Sequence, residues 1–287
     1  MIRHLFVASR PLSWINTAYP FALAYLLVAH PVDPVALVVG TIYFLIPYNL
    51  AMYGINDVFD YESDLRNPRK GGVEGAVLAP VFHGPTLVAA GVTNVPLLVV
   101  LVLLGGWVSW VVLAVSVLAV VAYSAPVLRF KERPVLDSIT SATHFVSPAV
   151  YGVALAGAAP RGSAVLLLLA FFGWGMASHA FGAVQDIPAD REAGIGSVAT
   201  VLGARATVIG SAALYLVAGV LAALSGWPTA LAGLLALPYL AMVLPFVRIT
   251  DADAPRANRG WRRFLAINYG AGFLVTVLAI LATALPA

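Results

Sequence analysis

Three aspartates, Asp57, Asp60 and Asp64, follow Asn56 at positions i, i+3 and i+7. On an α-helix that spacing puts all three carboxylates on one face. Like charges stacked in this way repel, and they close an apolar run, where a helix C-terminus disfavours anions. Helix stability does not account for them, whereas a bound cation does. Oxygen-only donors suit a hard metal, Mg²⁺ ahead of Mn²⁺ or Ca²⁺, with substrate phosphates completing the shell. For this cluster alone, a solvated acidic helix end is the plainer alternative. A second cluster, Asp186 and Asp190 at i and i+4 with Glu192 beyond, also follows an amide, Gln185. Alone, a pair at that spacing has little specificity. Two acidic clusters, each ending an apolar run, coincide less readily by accident, and together they read as a metal site.

Basic residues come next to these acids. Arg66, Arg69 and Lys70 precede Gly71-Gly72, and a third charged stretch adds Tyr123, Arg129, Lys131 and Arg133. Basic loops beside apolar spans are expected on one membrane side in any case. Mixed with the aspartates, they also compose a site for a metal and a polyanion, such as a metal-bridged diphosphate held by Arg and Lys. Arg69, Lys70 and Lys131 are the expected phosphate contacts; Arg66 and Arg129 stay open between the two readings. The last basic stretch, Arg256 to Arg263, reads as membrane-surface anchoring.

These residues must be carried by membrane spans. The chain has 287 residues, 61% hydrophobic and only 10% charged, against about a quarter charged in a soluble domain. Charge-free runs cover 11–32, 34–56, 75–128, 138–160, 162–185, 206–247 and 264–287. A span needs about 20 apolar residues, so the runs 75–128 and 206–247 hold two each, broken near Gly105-Gly106 and Gly226-Trp227-Pro228. The expectation is an all-α, polytopic membrane protein: nine transmembrane helices in one bundle, a single domain over 1–287. With the N-terminus cytoplasmic, fifteen of the sixteen Lys and Arg residues fall in cytoplasmic segments, and only Arg161 does not. Eight spans, or the reverse orientation, lose this segregation. The C-terminus then lies on the opposite side, and the first apolar run, which lacks a small-residue cleavage site, reads as a retained span. The two amide-plus-acid endings, four helices apart, suggest two pseudo-equivalent four-helix halves plus a ninth helix.

Other features narrow the chemistry. The absence of cysteine excludes disulfides, thiolate nucleophiles and cysteine-bound metal centres. The net charge of +3 is small and clustered, and points to membrane lipids and phosphates rather than nucleic acid. Asn16 and Asn49 are costly against lipid and should face the bundle interior; Asn49, seven residues before Asn56, is expected to line the cavity. Aromatic residues near helix ends could stabilise a cation, although aromatics at membrane interfaces are ordinary. His144 and His179 read either as interhelical contacts or as proton carriers, and Asp137 as an N-cap.

The run NDVFDYESD (56–64) resembles the first aspartate-rich motif of the UbiA prenyltransferase superfamily, QDIPADREAG (185–194) the second, and YSAPVLRFK (123–131) its tyrosine-to-lysine stretch. The resemblance covers the whole chain and implies that Asn56, Asp57, Asp60, Asp64, Asp186 and Asp190 hold two Mg²⁺ ions on a prenyl diphosphate. It also implies that Arg69, Lys70 and Lys131 contact that diphosphate, under a cap of cytoplasmic loops. Within the superfamily, SRPLSWINTAYPFALAYLL, the stretch from Leu45 to Leu78, and HAFGAVQDIPADREAGIGSVATVLG are similar to lycopene elongases of fifty-carbon carotenoid pathways. That similarity implies dimethylallyl diphosphate as donor and lycopene, or another lipid-soluble acceptor, as partner. A quinone, haem or chlorophyll prenyltransferase remains open. A carboxylated aromatic acceptor would need an internal cation, and only Arg10 is near enough to supply one.

The alternative of another class is a membrane transporter, which internal pseudo-repeats would also fit. Transporters place charged sites near the midplane, however, whereas these acids end the spans. A phosphotransferase acting on alcohols would carry a DGxxAR signature, which the sequence lacks.

Overall fold

A computed structural model describes residues 1–65 and 77–284, and all regular structure among them is helical. Among the described residues, seven helical stretches are long and apolar enough to cross a membrane: Pro34–Phe59, Pro80–Leu104, Trp107–Ser124, Ser163–Val184, Ala204–Ala223, Thr229–Phe246 and Ala254–Ala284. The two other segments expected to span are also helical but fall short. Ile15–Val28 has 14 residues. Leu136–Leu155 is rich in Ser and Thr and carries Asp137 and His144. The breaks at Gly105-Gly106 and Gly226-Trp227-Pro228 occur where the sequence puts them. The chain groups into two compact units, and the boundary between them passes within Leu136–Leu155.

The first unit comprises Met1–Phe130 and Thr143–Ala159. It contains α1 (Ile2–Ala8), α2 (Ile15–Val28), α3 (Pro34–Leu45), α4 (Pro47–Phe59), α5 (Tyr61–Asp64), α6 (His83–Leu104), α7 (Trp107–Ser124) and the later part of α8 (Leu136–Leu155). Asp33 starts α3 by accepting Val35 N at 2.8 Å and Ala36 N at 3.3 Å, with Pro34 in the first turn. Pro47 then ends α3, because it has no N–H to continue the ladder. The expected second span is therefore two helices joined at Ile46. Close packing comes from small residues: a Cβ on Gly40 would lie 2.0 Å from Phe21 Cζ, and one on Gly152 would lie 2.6 Å from Phe21 O. The core gathers Phe21, Tyr25, Tyr43, Phe44, Tyr48 and Tyr151 among Met52, Leu101, Leu113, Val120 and small alanines. Val88, Val92, Val95, Val99 and Leu103 form an exposed stripe along α6, as suits a lipid-facing helix.

The second unit comprises Lys131–Ala142 and Pro160–Ala287. Its described elements are the start of α8, then α9 (Ser163–Val184), α10 (Ile187–Glu192), α11 (Val198–Leu202), α12 (Ala204–Ala223), a 3-10 run Thr229–Leu235, α13 (Ala236–Val243) and α14 (Asn258–Ala284). Ala170, Ala218 and Ala222 let α9 and α12 pack closely. Gly260 is required at the start of α14, since a Cβ would meet Phe246 at 2.8 Å and Phe181 at 3.0 Å.

Candidate active site

In the first unit, the acidic row runs from the end of α4 (Asp57) through its C-cap (Asp60) to the end of α5 (Asp64). Asp57, Asp60 and Asp64 are 0%, 5% and 5% exposed, while Glu62 between them is exposed. The i, i+3, i+7 spacing thus buries one carboxylate face. The backbone is nearly continuous through it: Asp60 N donates to Asn56 O at 2.9 Å and Asp64 N to Asp60 O at 2.8 Å. Buried carboxylates require compensation, and each of the first two has a cationic partner. Asp57 Oδ1 accepts from Arg10 Nη2 at 2.7 Å. Arg129 Nη2 lies 3.9 Å from Asp60 Oδ1. Asn56 Nδ2 donates to Asp60 Oδ2 and to Ser124 Oγ, the latter at 3.0 Å, tying α4 to α7.

The sequence offers Arg10 only as a cation for a carboxylated acceptor; the structure pairs it with the first aspartate of the cluster instead. Its guanidinium lies 4.4 Å from the ring centroid of Tyr53, one turn before Asp57. Its backbone is left-handed, φ 49 and ψ 75, a costly state for a non-glycine residue and doubly so before proline. The only signal in the sequence was its place at the edge of the first charge-free run. Arg129, at φ 37, and Val127, at φ 75, form a similarly constrained turn after α7. Tyr123 is half-buried, with its ring edge-on to His144 at 5.2 Å.

Asn49 does not face an open cavity. Its side chain is fully buried, and Nδ2 donates to Thr17 Oγ1 at 2.7 Å, Phe44 O at 2.8 Å and Leu45 O at 3.1 Å. The last two are carbonyls that the interrupted ladder at Pro47 leaves without helical partners. Asn49 therefore seals the α3–α4 joint, and the cavity-lining expectation is corrected to a structural one. Asn16 is half-buried in the first turn of α2. Arg66, Arg69 and Lys70 lie outside the described residues.

In the second unit, Asp186 is the residue just ahead of α10, and Asp190 lies one turn later, its N–H donating to Asp186 O at 2.8 Å. Both are half-buried, as is Lys131. The preceding amide, Gln185, donates Nε2 to Gly182 O at 2.9 Å and accepts Asn258 Nδ2 at 2.6 Å, joining α9 to α14. Asp137 is fully buried and serves two helix starts: its Oδ1 accepts Ser138 N in the first turn of its own helix at 2.7 Å, and its Oδ2 accepts Val198 N at the start of α11 at 2.7 Å. Ser138 Oγ lies 3.5 Å from His179 Nδ1.

The donor set is all oxygen and suits a hard divalent cation. Among the described residues, however, no three His, Asp or Glu side chains are gathered closely enough to hold a metal by themselves. Arg10 pairs with Asp57, and Arg129 and Asn56 lie against Asp60.

Comparison with known proteins fits these observations. The UbiA prenyltransferase family matches residues 17–284. A C(50) β-cyclic carotenoid biosynthesis protein, LbtBC, from Dietzia sp. is 59% identical over 281 residues; this chain spans 65% of that protein's length and 98% of its own. A lycopene elongase/hydratase from Corynebacterium glutamicum is 53% identical over 97% of both chains. The structure of a UbiA homologue from Archaeoglobus fulgidus bound to DMAPP and Mg²⁺ shares the fold, with a TM-score of 0.66 at 18% identity, covering 96% of this chain and 99% of that one. Helical composition, multiple apolar spans and family match agree: the chain is a multi-pass membrane protein that belongs to the UbiA prenyltransferase family.

Proposed function

We propose that this enzyme transfers a dimethylallyl group from its diphosphate to lycopene. The observation that carries the reading is the 53% identity to the Corynebacterium lycopene elongase/hydratase over 97% of both chains. The buried carboxylate row across α4 and α5 supports the chemistry. The finer topology belongs to the same proposal: a single domain of nine spans in two pseudo-equivalent halves, with the N-terminus and charged loops cytoplasmic and the C-terminus opposite. In that arrangement Asp57, Asp60 and Asp64 act with Asp186 and Asp190 on one diphosphate.

Asn56 and the five aspartates would hold Mg²⁺, which when bound neutralises charge on the departing diphosphate. Arg66, Arg69, Lys70, Arg129 and Lys131 donate to the diphosphate oxygens, and Tyr123 borders them. The donor's C–O bond breaks with its electron pair going to the diphosphate, which leaves an allylic cation. Electrostatic stabilisation of this kind is usually the largest catalytic contribution. The terminal double bond of lycopene attacks the cation. The resulting tertiary cation then loses a proton or gains hydroxide from water. Aromatic side chains keep bulk water away until that step.

Expression in a lycopene-producing host tests the proposal. Pigment mass should rise by one or two five-carbon units. Unchanged lycopene, with the protein present in the membrane, overturns the acceptor assignment. Asp57→Asn and Asp186→Asn should each abolish turnover while the protein remains folded; full activity in either breaks the two-cluster reading.

A further inference from the structure

The second aspartate pair sits on an element too short to hold itself. α10 has six residues and α11 has five, and helices of this length do not persist in isolation. Ile187 and Ala199 bury into the core of the unit, and the polar contacts that tie the two short helices together centre on one arginine. Arg191, adjacent to Asp190, donates Nε and Nη2 to Thr200 O in α11 at 3.3 and 2.9 Å. Its Nη1 donates to Asp251 Oδ2 at 2.7 Å. The other oxygen of Asp251 accepts Ala204 N, at the start of α12, at 2.7 Å. That N–H is one that a helix leaves without an internal partner.

α10, α11, α12 and the segment ahead of α14 therefore meet at a single guanidinium–carboxylate pair. Gly203 makes the approach possible. Its φ is +79, and a Cβ there would lie 3.2 Å from Asp251 Oδ1. The far end of α11 is fixed separately, by Ser197 Oγ accepting Thr200 N at 3.1 Å and by Asp137 accepting Val198 N. The Ala204 N–H first, and Arg191 second, hold the Asp251 carboxyl below its ordinary range.

We propose that Arg191 and Asp251 are positioning residues for the second aspartate pair, locking α10 so that Asp186 and Asp190 are presented to a divalent cation. This rests on the metal-binding reading of that pair. The two side chains are 46% and 41% exposed, and exposed ion pairs add little to global stability. Breaking the clamp therefore acts locally, on the element it holds, and appears in metal affinity more than in melting temperature.

The test uses the full-length protein in nanodiscs. Mn²⁺ binding is measured by electron paramagnetic resonance, with and without inorganic pyrophosphate, alongside the Mg²⁺ dependence of turnover. Asp251→Asn keeps an acceptor for Ala204 N but loses the charge facing Arg191. Arg191→Ala loses the whole clamp, and Arg191→Lys keeps the charge without the fork. Asp251→Asn and Arg191→Ala should weaken Mn²⁺ binding about tenfold, the lower end of what losing a supporting partner costs a metal site. The Mg²⁺ needed for half-maximal turnover should rise in parallel, KM for the acceptor should stay unchanged, and Arg191→Lys should recover part of the loss. The double variant should be no worse than Arg191→Ala alone. Asp190→Asn is the control. If it loses Mn²⁺ while the clamp variants bind like the parent, the positioning role is wrong and the metal reading stands. If Asp190→Asn also binds like the parent, the metal reading fails and takes this inference with it. Should Arg191→Ala not accumulate, Asp251→Asn decides the question alone.

Discussion

Arg10→Ala should destabilise the protein far more than a surface arginine would. Asp57 is fully buried and Arg10 is only 19% exposed at its side chain, with 2.7 Å between them. Removing one partner of a buried pair costs about 3–5 kcal/mol, because the other charge stays behind in a poor medium. The partial exposure of Arg10 argues for the low end, and loss of the stacking on Tyr53 adds about 0.5–1 kcal/mol. Alanine gives no relief from the left-handed backbone, because it too carries a Cβ. The expected loss is about 3.5–4 kcal/mol, or roughly 6–10 °C in melting midpoint for a chain of this size. Melting followed by tryptophan fluorescence in one detergent gives the midpoint. The diagnostic variant is Arg10→Ala combined with Asp57→Asn. With the stranded charge neutralised, the double variant should recover more than half of the lost stability. A double variant as unstable as Arg10→Ala, or an Arg10→Ala protein that melts with the parent, refutes the reasoning.

Three further outcomes follow from the packing and the charges. Gly40→Ala puts a Cβ 2.0 Å from Phe21 Cζ, and should cost about 1–3 kcal/mol as an overpacked contact; an unchanged midpoint would show that α2 and α3 can separate freely. Asn49→Ala strips the donors from Phe44 O and Leu45 O and should cost about 1–3 kcal/mol; parental stability would return Asn49 to the role of a cavity residue. Asp251 has its carboxyl pKa lowered from the ordinary value of 3.8. A depressed acid stabilises the fold above its ordinary pKa and loses that contribution as pH falls through the depressed one. Parent and Asp251→Asn should therefore differ slightly in midpoint at neutral pH, and the gap should start to narrow as pH falls below about 3.8 and close only beneath the depressed pKa; a gap that does not narrow in acid would mean another group is responsible.

What the sequence conveyed was what local periodicity and punctuation encode. The i, i+3, i+7 spacing of Asp57, Asp60 and Asp64 is a property of the helix itself, and it anticipated the buried face. Gly105-Gly106 and Gly226-Trp227-Pro228 mark helix ends because Gly and Pro act on the backbone where they stand. Pairings across distance were not legible. Arg10 meets Asp57 across 47 residues, and Asp137 reaches Val198 across 61; both depend on how helices pack, which no spacing rule carries. Asn49 was misjudged for a related reason. Its polarity against lipid was read correctly as a demand for a partner, but the partner was the broken ladder at Pro47 rather than a ligand. α8 is a 20-residue helix as the charge-free run implies, but its Ser, Thr and His content makes it less apolar than the seven span-length stretches.

The joint at Ile46–Pro47 also sets the rotational phase of the acidic row. In an unbroken helix, one inserted residue turns everything downstream by about 100°. Here the ladder stops at Pro47 and starts afresh, with Asn49 holding the loose carbonyls. The azimuth of Asp57, Asp60 and Asp64 is counted from Pro47 and not from the residues of α3. An extra residue within α3 leaves the carboxylates aimed as before, whereas one placed between Asn49 and Asp57 swings all three off their face together.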